Sequence, residues 1–251
     1  MKESIGREFM LKTRFPHLPV APQDSGIPQP PLELSYPAGS RLINLLPVSE
    51  LVMPAMDLRS AIENRKTVRS YQHQSITLDE LSYLLWLTQG VRRVSTRPVT
   101  LRNVPAAGAR HAFETFLLVN HVDGLPSGLY RYAALEHSLL EHDLSPDVKE
   151  RVTRACLNQQ HITGSAVTFI WVAVLERMYW RYTERGYRYL FLDAGHVCQN
   201  LYLAAETLGC GVCAIGAFDD ELLNTALGLD GENLFAVYAG TLGKRLEKEH
   251  I

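Results

Sequence analysis

Apolar positions recur along this chain in two rhythms, separated by stretches that have none. Residues 166–175, Ala-Val-Thr-Phe-Ile-Trp-Val-Ala-Val-Leu, are apolar at almost every position, which predicts a strand buried on both faces at the centre of a sheet. Residues 114–121, 128–132, 138–142 and 233–241 read as further strands, with 128–132 and 138–142 forming a hairpin pair. A 3.6-residue rhythm marks the helices. Thr77-Leu78-Asp79-Glu80 has the composition of a capping box, and the helix it opens sets Leu78, Leu81, Leu84, Leu85 and Thr88 on one face before Gly90. Shorter helices are expected over 57–65, from Ser145-Pro146 to residue 158, and from the cap Asp219 through Ala226 to Gly228.

The longest helical pattern begins at Gly186. Tyr189, Leu192, His196, Gln199, Leu203 and Glu206 follow at three- and four-residue spacing until Gly209. Residues 209–218 are small, with glycines at 209, 211 and 216, and read as a permissive loop able to approach a flat ligand closely. A second loop, basic in character, is expected from Arg92 to Arg102. Eight of the thirteen prolines fall between residues 15 and 47, which rules out helix or central strand around Pro28-Gln29-Pro30-Pro31. Residues 1–47 therefore read as an extended arm, whose Leu32, Leu34, Tyr36, Leu42, Ile43, Leu45 and Leu46 need a surface on the body or on a partner subunit. Residues 48–251 form the domain. Helices and hairpin strands mix without regular alternation, so the class is α+β.

Composition narrows the picture. A 251-residue chain with 46% hydrophobic and 21% charged residues is an ordinary globular one, and its net charge of −2 offers no bulk field for nucleic acid or an anionic membrane. No segment approaches the ~20 apolar residues of a membrane span, and the N-terminal residues lack a signal-peptide core, so a cytoplasmic protein is expected. Four cysteines suit a reducing compartment.

Candidate chemistry begins with eliminations. There is no Walker A, Gly-x-Ser-x-Gly or His-Glu-x-x-His run. Gly209-x-Gly211 leaves a helix, where a dinucleotide fingerprint must open one. Cys210-x-x-Cys213 reads first as packed thiols, with a redox dithiol or half a zinc site as alternatives; Cys156 and Cys198 lie inside predicted helices, so no metal is expected. Two basic clusters remain. Arg65, Lys66 and Arg69 surround the hydroxyl of Thr67, and Lys244-Arg245 closes the last strand. Such point charges and donors suit a phosphate.

These residues carry a resemblance. Arg65-Lys66-Thr67-Val68-Arg69-Ser70-Tyr71 resembles the Arg-Arg-Ser-x-Arg-x-Phe entry motif of the FMN-dependent nitroreductases. Pro105-Ala106-Ala107-Gly108-Ala109-Arg110 resembles their Pro-Ser-Ala-Gly loop, and Gly195-His196-x-x-Gln199-Asn200-Leu201 followed by Ala214-Ile215-Gly216-Ala217-Phe218 resembles their long helix and the segment after it. Within the family, Pro30-Pro31-Leu32-Glu33, Gly128-Leu129-Tyr130-Arg131-Tyr132 and Asp193-Ala194-Gly195-His196 are similar to the SagB-type dehydrogenases, whose azoline-oxidising members make thiazoles and oxazoles in peptides.

The resemblance implies a central, mainly antiparallel sheet flanked by helices, in an intertwined homodimer. It implies FMN, with Arg65, Lys66 and Lys244 or Arg245 on the phosphate and Thr67 and Arg69 on the ribityl chain and pyrimidine edge. Pro105, Ala106, Ala107, Gly108 and Ala109 would come from the other subunit and lie against the ring. Gln199, Ala214 and Ile215 would line the cofactor, and an N–H of Gly216 or Ala217 would face flavin N5. Tyr182, Tyr130 and Arg110 are candidates for substrate contact. The implied activity passes hydride between a small-molecule donor such as NAD(P)H and an acceptor; the alternative is a non-catalytic scaffold that keeps the fold. Four positions depart from the family pattern: Lys66 and Thr67 replace Arg and Ser, Ala106 replaces a serine, and the arginine of Arg181-Tyr182 stands where azoline-oxidising members carry the lysine of Lys-Tyr. An arginine stays protonated and cannot serve as a base.

Overall fold

The protein is described by a computed structural model covering residues 4–96 and 98–246; residues 1–3 of the expected arm, Arg97 of the basic segment and 247–251 of the domain lie outside it. Strand β7 (Val167–Val174) is the organising element, buried along its whole length as its unbroken apolar run requires. It pairs antiparallel with β4 (Phe113–Val119) on one side and with β9 (Leu234–Lys244) on the other. Beyond β4 come β5 (Gly128–Ala133), β6 (Ser138–Asp143) and the short β1 (Leu42–Asn44); beyond β9 comes the edge strand β8 (Cys210–Ile215). Every pairing in this seven-stranded sheet is antiparallel.

Because strand side chains alternate, the sheet has two apolar faces. One receives Leu117, Phe169 and Trp171 and is covered by α3 (Leu78–Gln89) and by α7 (Gly186–Thr207). The other receives Phe116, Leu118, Ile170 and Val172 and is covered by α4 (Val148–Ala155), α5 (Gln160–Gly164) and α8 (Asp220–Leu227). Three elements sit outside these layers: α1 (Ile5–Lys12), α2 (Leu58–Asn64) and α6 (Leu175–Tyr182), the last leading into α7.

Local signals resolve as expected where they are self-contained. Thr77 and Glu80 form the full capping box, Asp57 and Asp219 cap α2 and α8 by accepting amide hydrogen bonds, and Gly228 ends α8 in the left-handed conformation. Other expectations are corrected. Residues 210–215 are a strand rather than a loop, because β9 supplies a full ladder of partners from Cys210–Lys244 to Ile215–Ala239. The basic stretch after Gly90 is a small hairpin of β2 (Val91–Val94) and β3 (Thr100–Arg102). Helix α4 starts at Val148 instead of Pro146, since the Ser145 amide donates to Asp143 and the Ser145 hydroxyl accepts from Arg151. It stops at Ala155, because Leu157 and Asn158 both turn to positive φ.

Residues 15–47 run over the body and are fixed by buried charge. Arg177 donates to the Pro31 carbonyl and forms a fully buried pair with Glu114 at 2.7 Å, while Glu114 also accepts the Leu34 amide. Arg131 donates to the carbonyls of Leu34 and Ser35, and the Glu33 carboxylate accepts the amides of Ala134 and Leu135.

Candidate functional site

At the C-terminus of α2 the chain leaves the helix through Arg65 and lies along the outer edge of β8, with Thr67 bridging Val212 in parallel and Tyr71 bridging Arg245. Two glycines make this seat possible. A Cβ on Gly211 would come within 2.6 Å of the Val68 side chain, and one on Gly243 would meet the Tyr71 ring at 2.8 Å. Tyr71 is locked there by its hydroxyl, 2.8 Å from the Val68 carbonyl and 2.7 Å from Thr241 Oγ1.

The result is an open cleft of about 370 Å³ lined by Lys66, Thr67, Val68, Arg69, Ser70 and Arg245 with Leu246. Lys66, Thr67 and Arg69 are exposed. Among the described residues no carboxylate pairs with Arg65, Lys66 or Arg69, so the cluster carries uncompensated positive charge beside the hydroxyls of Thr67 and Ser70. The terminal pair divides. Arg245 lines the cleft while bound to Glu206; Lys244 does not line it, and its ammonium is held by Glu80 at 2.5 Å and by the Leu208 carbonyl at 3.1 Å. The chain meets the edge of β8 at Val212, and exposed Gly216 and Ala217 follow directly after that strand ends at Ile215.

Tyr202 ties this corner together, and its role was not anticipated. Its hydroxyl accepts the Ala214 amide at 3.0 Å and lies 3.3 Å from Thr67 Oγ1, while the Arg65 guanidinium sits 5.4 Å from the centre of its ring. It lies one turn beyond Gln199 on α7, and that spacing was the available signal. The Ala214 amide is therefore already satisfied, and Ile215 packs into the second core with its side chain buried.

The loop at 105–109 lies elsewhere. It lines a separate cleft, also about 370 Å³, with Arg92, Arg102 and His111. Asp193 of α7 accepts the Ala107 amide with both carboxylate oxygens, at 3.1 and 3.2 Å, and Tyr182 lies over Gly108, where a Cβ would stand 2.3 Å from its hydroxyl. Asp193 and Tyr202 are nine residues apart on α7, which is about 14 Å along the helix axis. The two clefts share no lining residue. Between and around them α7 exposes Phe191 (62%) and Leu192 (59%) together with Gly195, His196 and Gln199, an apolar helical face of the sort normally covered.

Three candidates change standing. Tyr130 is fully buried, its hydroxyl donating to the Pro126 carbonyl, and Arg110 is buried between the arm and the loop, donating to Gln29 and to the Gly108 carbonyl. Neither is placed to meet a substrate. Cys210 and Cys213 are buried and an odd number of positions apart on one strand, so their thiols point to opposite faces. Burial pushes the Cys210 thiol up to about 12 and raises Cys213 as well, the reverse of what a reactive thiolate needs. No cluster of three metal-ligating side chains occurs among the described residues, and no helix there is long and apolar enough to cross a membrane.

The model of the nitroreductase family matches residues 62–244, which takes in the basic cluster, the 105–109 loop, α7 and β8. The chain belongs to the nitroreductase family. It is 34% identical over 181 residues to a protein of Methanocaldococcus jannaschii named as a candidate nitroreductase, covering 71% of this chain and 89% of that one. It is 28% identical over 154 residues to the trifolitoxin-processing protein TfxB of Rhizobium leguminosarum bv. trifolii, covering 60% of this chain and 41% of that protein. Among solved structures, one from Anabaena variabilis, also named as a candidate nitroreductase, superposes with a TM-score of 0.68 at 29% identity, over 83% of this chain and 42% of that one. The fold is thus the nitroreductase fold, α+β around a central antiparallel sheet, and the chain is an oxidoreductase of that family.

Proposed function

We propose that this nitroreductase-family protein is an FMN-dependent oxidoreductase that acts in the cytoplasm as a homodimer, each site being assembled from two chains. The observation that carries the reading is the cleft at residues 66–70, where unpaired cations and two hydroxyls meet at a sheet edge that ends in the small residues Gly216 and Ala217. That donor set fits a flat ring with a phosphate tail. Lys66, Arg245 and the Thr67 hydroxyl would hold the phosphate, with Arg65 braced on Tyr202 behind them. Arg69 would sit at the ring's polar edge, where a fixed cation favours the negative charge of the reduced cofactor. Lys244 drops out of this set, since Glu80 and a helix carbonyl already occupy it.

When bound, a flavin would supply two-electron hydride transfer between a donor such as NAD(P)H or an organic substrate, an azoline among them, and an acceptor such as a nitroaromatic, a quinone or oxygen. Residues 105–109 and Tyr182 of the second chain would close over the site and exclude water, since the two clefts of one chain share no lining residue. Donor and acceptor would share one face and bind in turn. The likeness to the trifolitoxin-processing protein supports the SagB-type branch; Arg181, which cannot take a proton, argues against azoline oxidation by the family's Lys-Tyr route.

Purified protein is expected to take up FMN with absorbance near ~450 nm, and to sediment at about twice 28.2 kDa. A colourless protein that gains no such absorbance on addition of FMN would overturn the proposal. A second reading, a flavin-binding scaffold without turnover, draws on the missing serine at Ala106. It predicts that photoreduced protein is not reoxidised by oxygen, quinone or nitroaromatic.

A further inference from the structure

The loop between β3 and β4 is held in a conformation it would not choose alone. Gly108, Ala109 and His111 all have positive φ, at 55°, 53° and 42°, and for the two non-glycine residues this is a strained backbone that surrounding structure must impose. Three contacts impose it. Arg110 donates through Nε to the Gly108 carbonyl while its Nη1 binds Gln29 of the arm; the Tyr182 ring lies over Gly108; and Asp193 takes the Ala107 amide. The last is the only one of the three built on an ionisable group that can change charge near neutrality.

Asp193 is only 4% exposed. A buried carboxylate is stable when several donors surround it, yet the hydrogen bonds found for this one come from a single amide, shared between its two oxygens. The titratable group beside it is His196 on its own helix, with Nδ1 at 3.9 Å, while Arg110 of the loop and Arg181 and Tyr182 of α6 stand against Gly108, next to the amide that Asp193 holds. We propose that Asp193 is a positioning residue for the flavin site, a catch whose neutral form fits the closed 105–110 loop and whose ionisation loosens it. The catch itself stands on the geometry of one chain; its effect on the cofactor rests on the proposed function.

Burial holds the Asp193 carboxyl up at about 6, against the lowering effect of the Ala107 amide and of His196. Below that pH the neutral acid still accepts from Ala107 through an uncharged oxygen; above it a charge is buried with one amide to stabilise it, and opening the loop lets water reach it. A carboxyl that holds its proton more tightly in the closed loop than in water favours the closed loop in acid, so the loop is fastened below about 6 and loosens as pH rises through it.

Amide exchange of the peptide spanning residues 105–110, followed in the full-length protein from about pH 5 to about pH 8 and corrected for the intrinsic rate, tests this directly. Wild type is expected to lose protection at least tenfold as pH is raised. Asp193→Asn, which keeps an acceptor for Ala107 without a titrating charge, is expected to give a flat profile; His196→Gln is expected to keep the wild-type one. Asp193→Ala is expected to exchange freely throughout and to bind FMN at least tenfold more weakly than wild type at about pH 5. A pH-dependent profile that survives in Asp193→Asn, or that vanishes in His196→Gln, overturns the catch. FMN affinity unchanged in Asp193→Ala overturns its positioning role. If wild type binds no FMN at all, the proposed function fails, and the exchange profiles alone decide whether the catch exists.

Discussion

Replacing Glu33 by glutamine should make the protein more stable, although it deletes a residue engaged in two hydrogen bonds. Glu33 sits on the arm, half-buried against the turn after β5, where it accepts the amides of Ala134 and Leu135. Burial, and after it the neighbouring carboxylates of Glu114 and Glu136, raises its carboxyl from 4.5 to about 7, more than the two amides can offset. At 1.36 kcal/mol per pH unit, ionised Glu33 is then roughly 3 kcal/mol less favourable in the folded protein than in the unfolded chain. The sign follows from proton counts. Between 4.5 and about 7 the folded state keeps a proton that the unfolded state has lost, so stability falls as pH rises across that window and is flat above it. Glutamine keeps the Oε1 acceptor and never ionises. Above the window Glu33→Gln should gain about 2–3 kcal/mol, raising the midpoint of thermal unfolding by roughly 5–10 °C in a chain of this size. Below about pH 4.5 the two proteins should melt together. Melting curves of both proteins at a series of pH values check this. A variant that melts at or below wild type at alkaline pH would show that the Glu33 charge is compensated in the fold, and the reasoning would fail.

Other consequences are simpler. Arg177→Met removes one member of a buried ion pair and leaves Glu114 uncompensated, with an expected loss of about 3–5 kcal/mol, readable by urea titration; a loss below ~1 kcal/mol would mean that water replaces the pair. Gly211→Ala puts a methyl group against Val68 and should lower stability by about 1–3 kcal/mol while weakening FMN binding, checked by a fluorescence titration. Replacing Cys210 and Cys213 together by alanine should leave the pH profile of turnover unchanged, because both thiols are buried and point to opposite faces; lost turnover in a folded double variant would revive thiol chemistry.

How much of this was legible in the sequence depended on the distance over which each interaction acts. The Thr77–Glu80 box, the Asp219 cap and the β7 run are decided within a few residues, and all three appear where their patterns place them. β8 was misread because Gly, Cys and Ala carry no alternation; only the ladder with β9 makes it a strand. The basic cluster at 65–69 was visible as charge, but the disposition of Lys244 was not, since its partner Glu80 is 164 positions away. The same holds for Asp193 and Ala107, separated by 86 positions, and for Tyr202, whose hydroxyl reaches back 135 to Thr67. Helix periodicity marks which face of α7 is buried; it does not mark which polar atoms on that face find partners.

The length of α7 has a genetic consequence. It holds Asp193, which binds the loop, and Tyr202, which binds the basic cluster, about 14 Å apart along one helix, and under the two-chain site proposed above a defect in either half disables both sites of a uniform dimer. A chain altered at Lys66 and Arg69, co-expressed with one altered at Asp193, would form mixed dimers in which one site collects both defects and the other collects none. Two inactive alleles would then restore activity in trans, whereas two alleles altered within the same half would not.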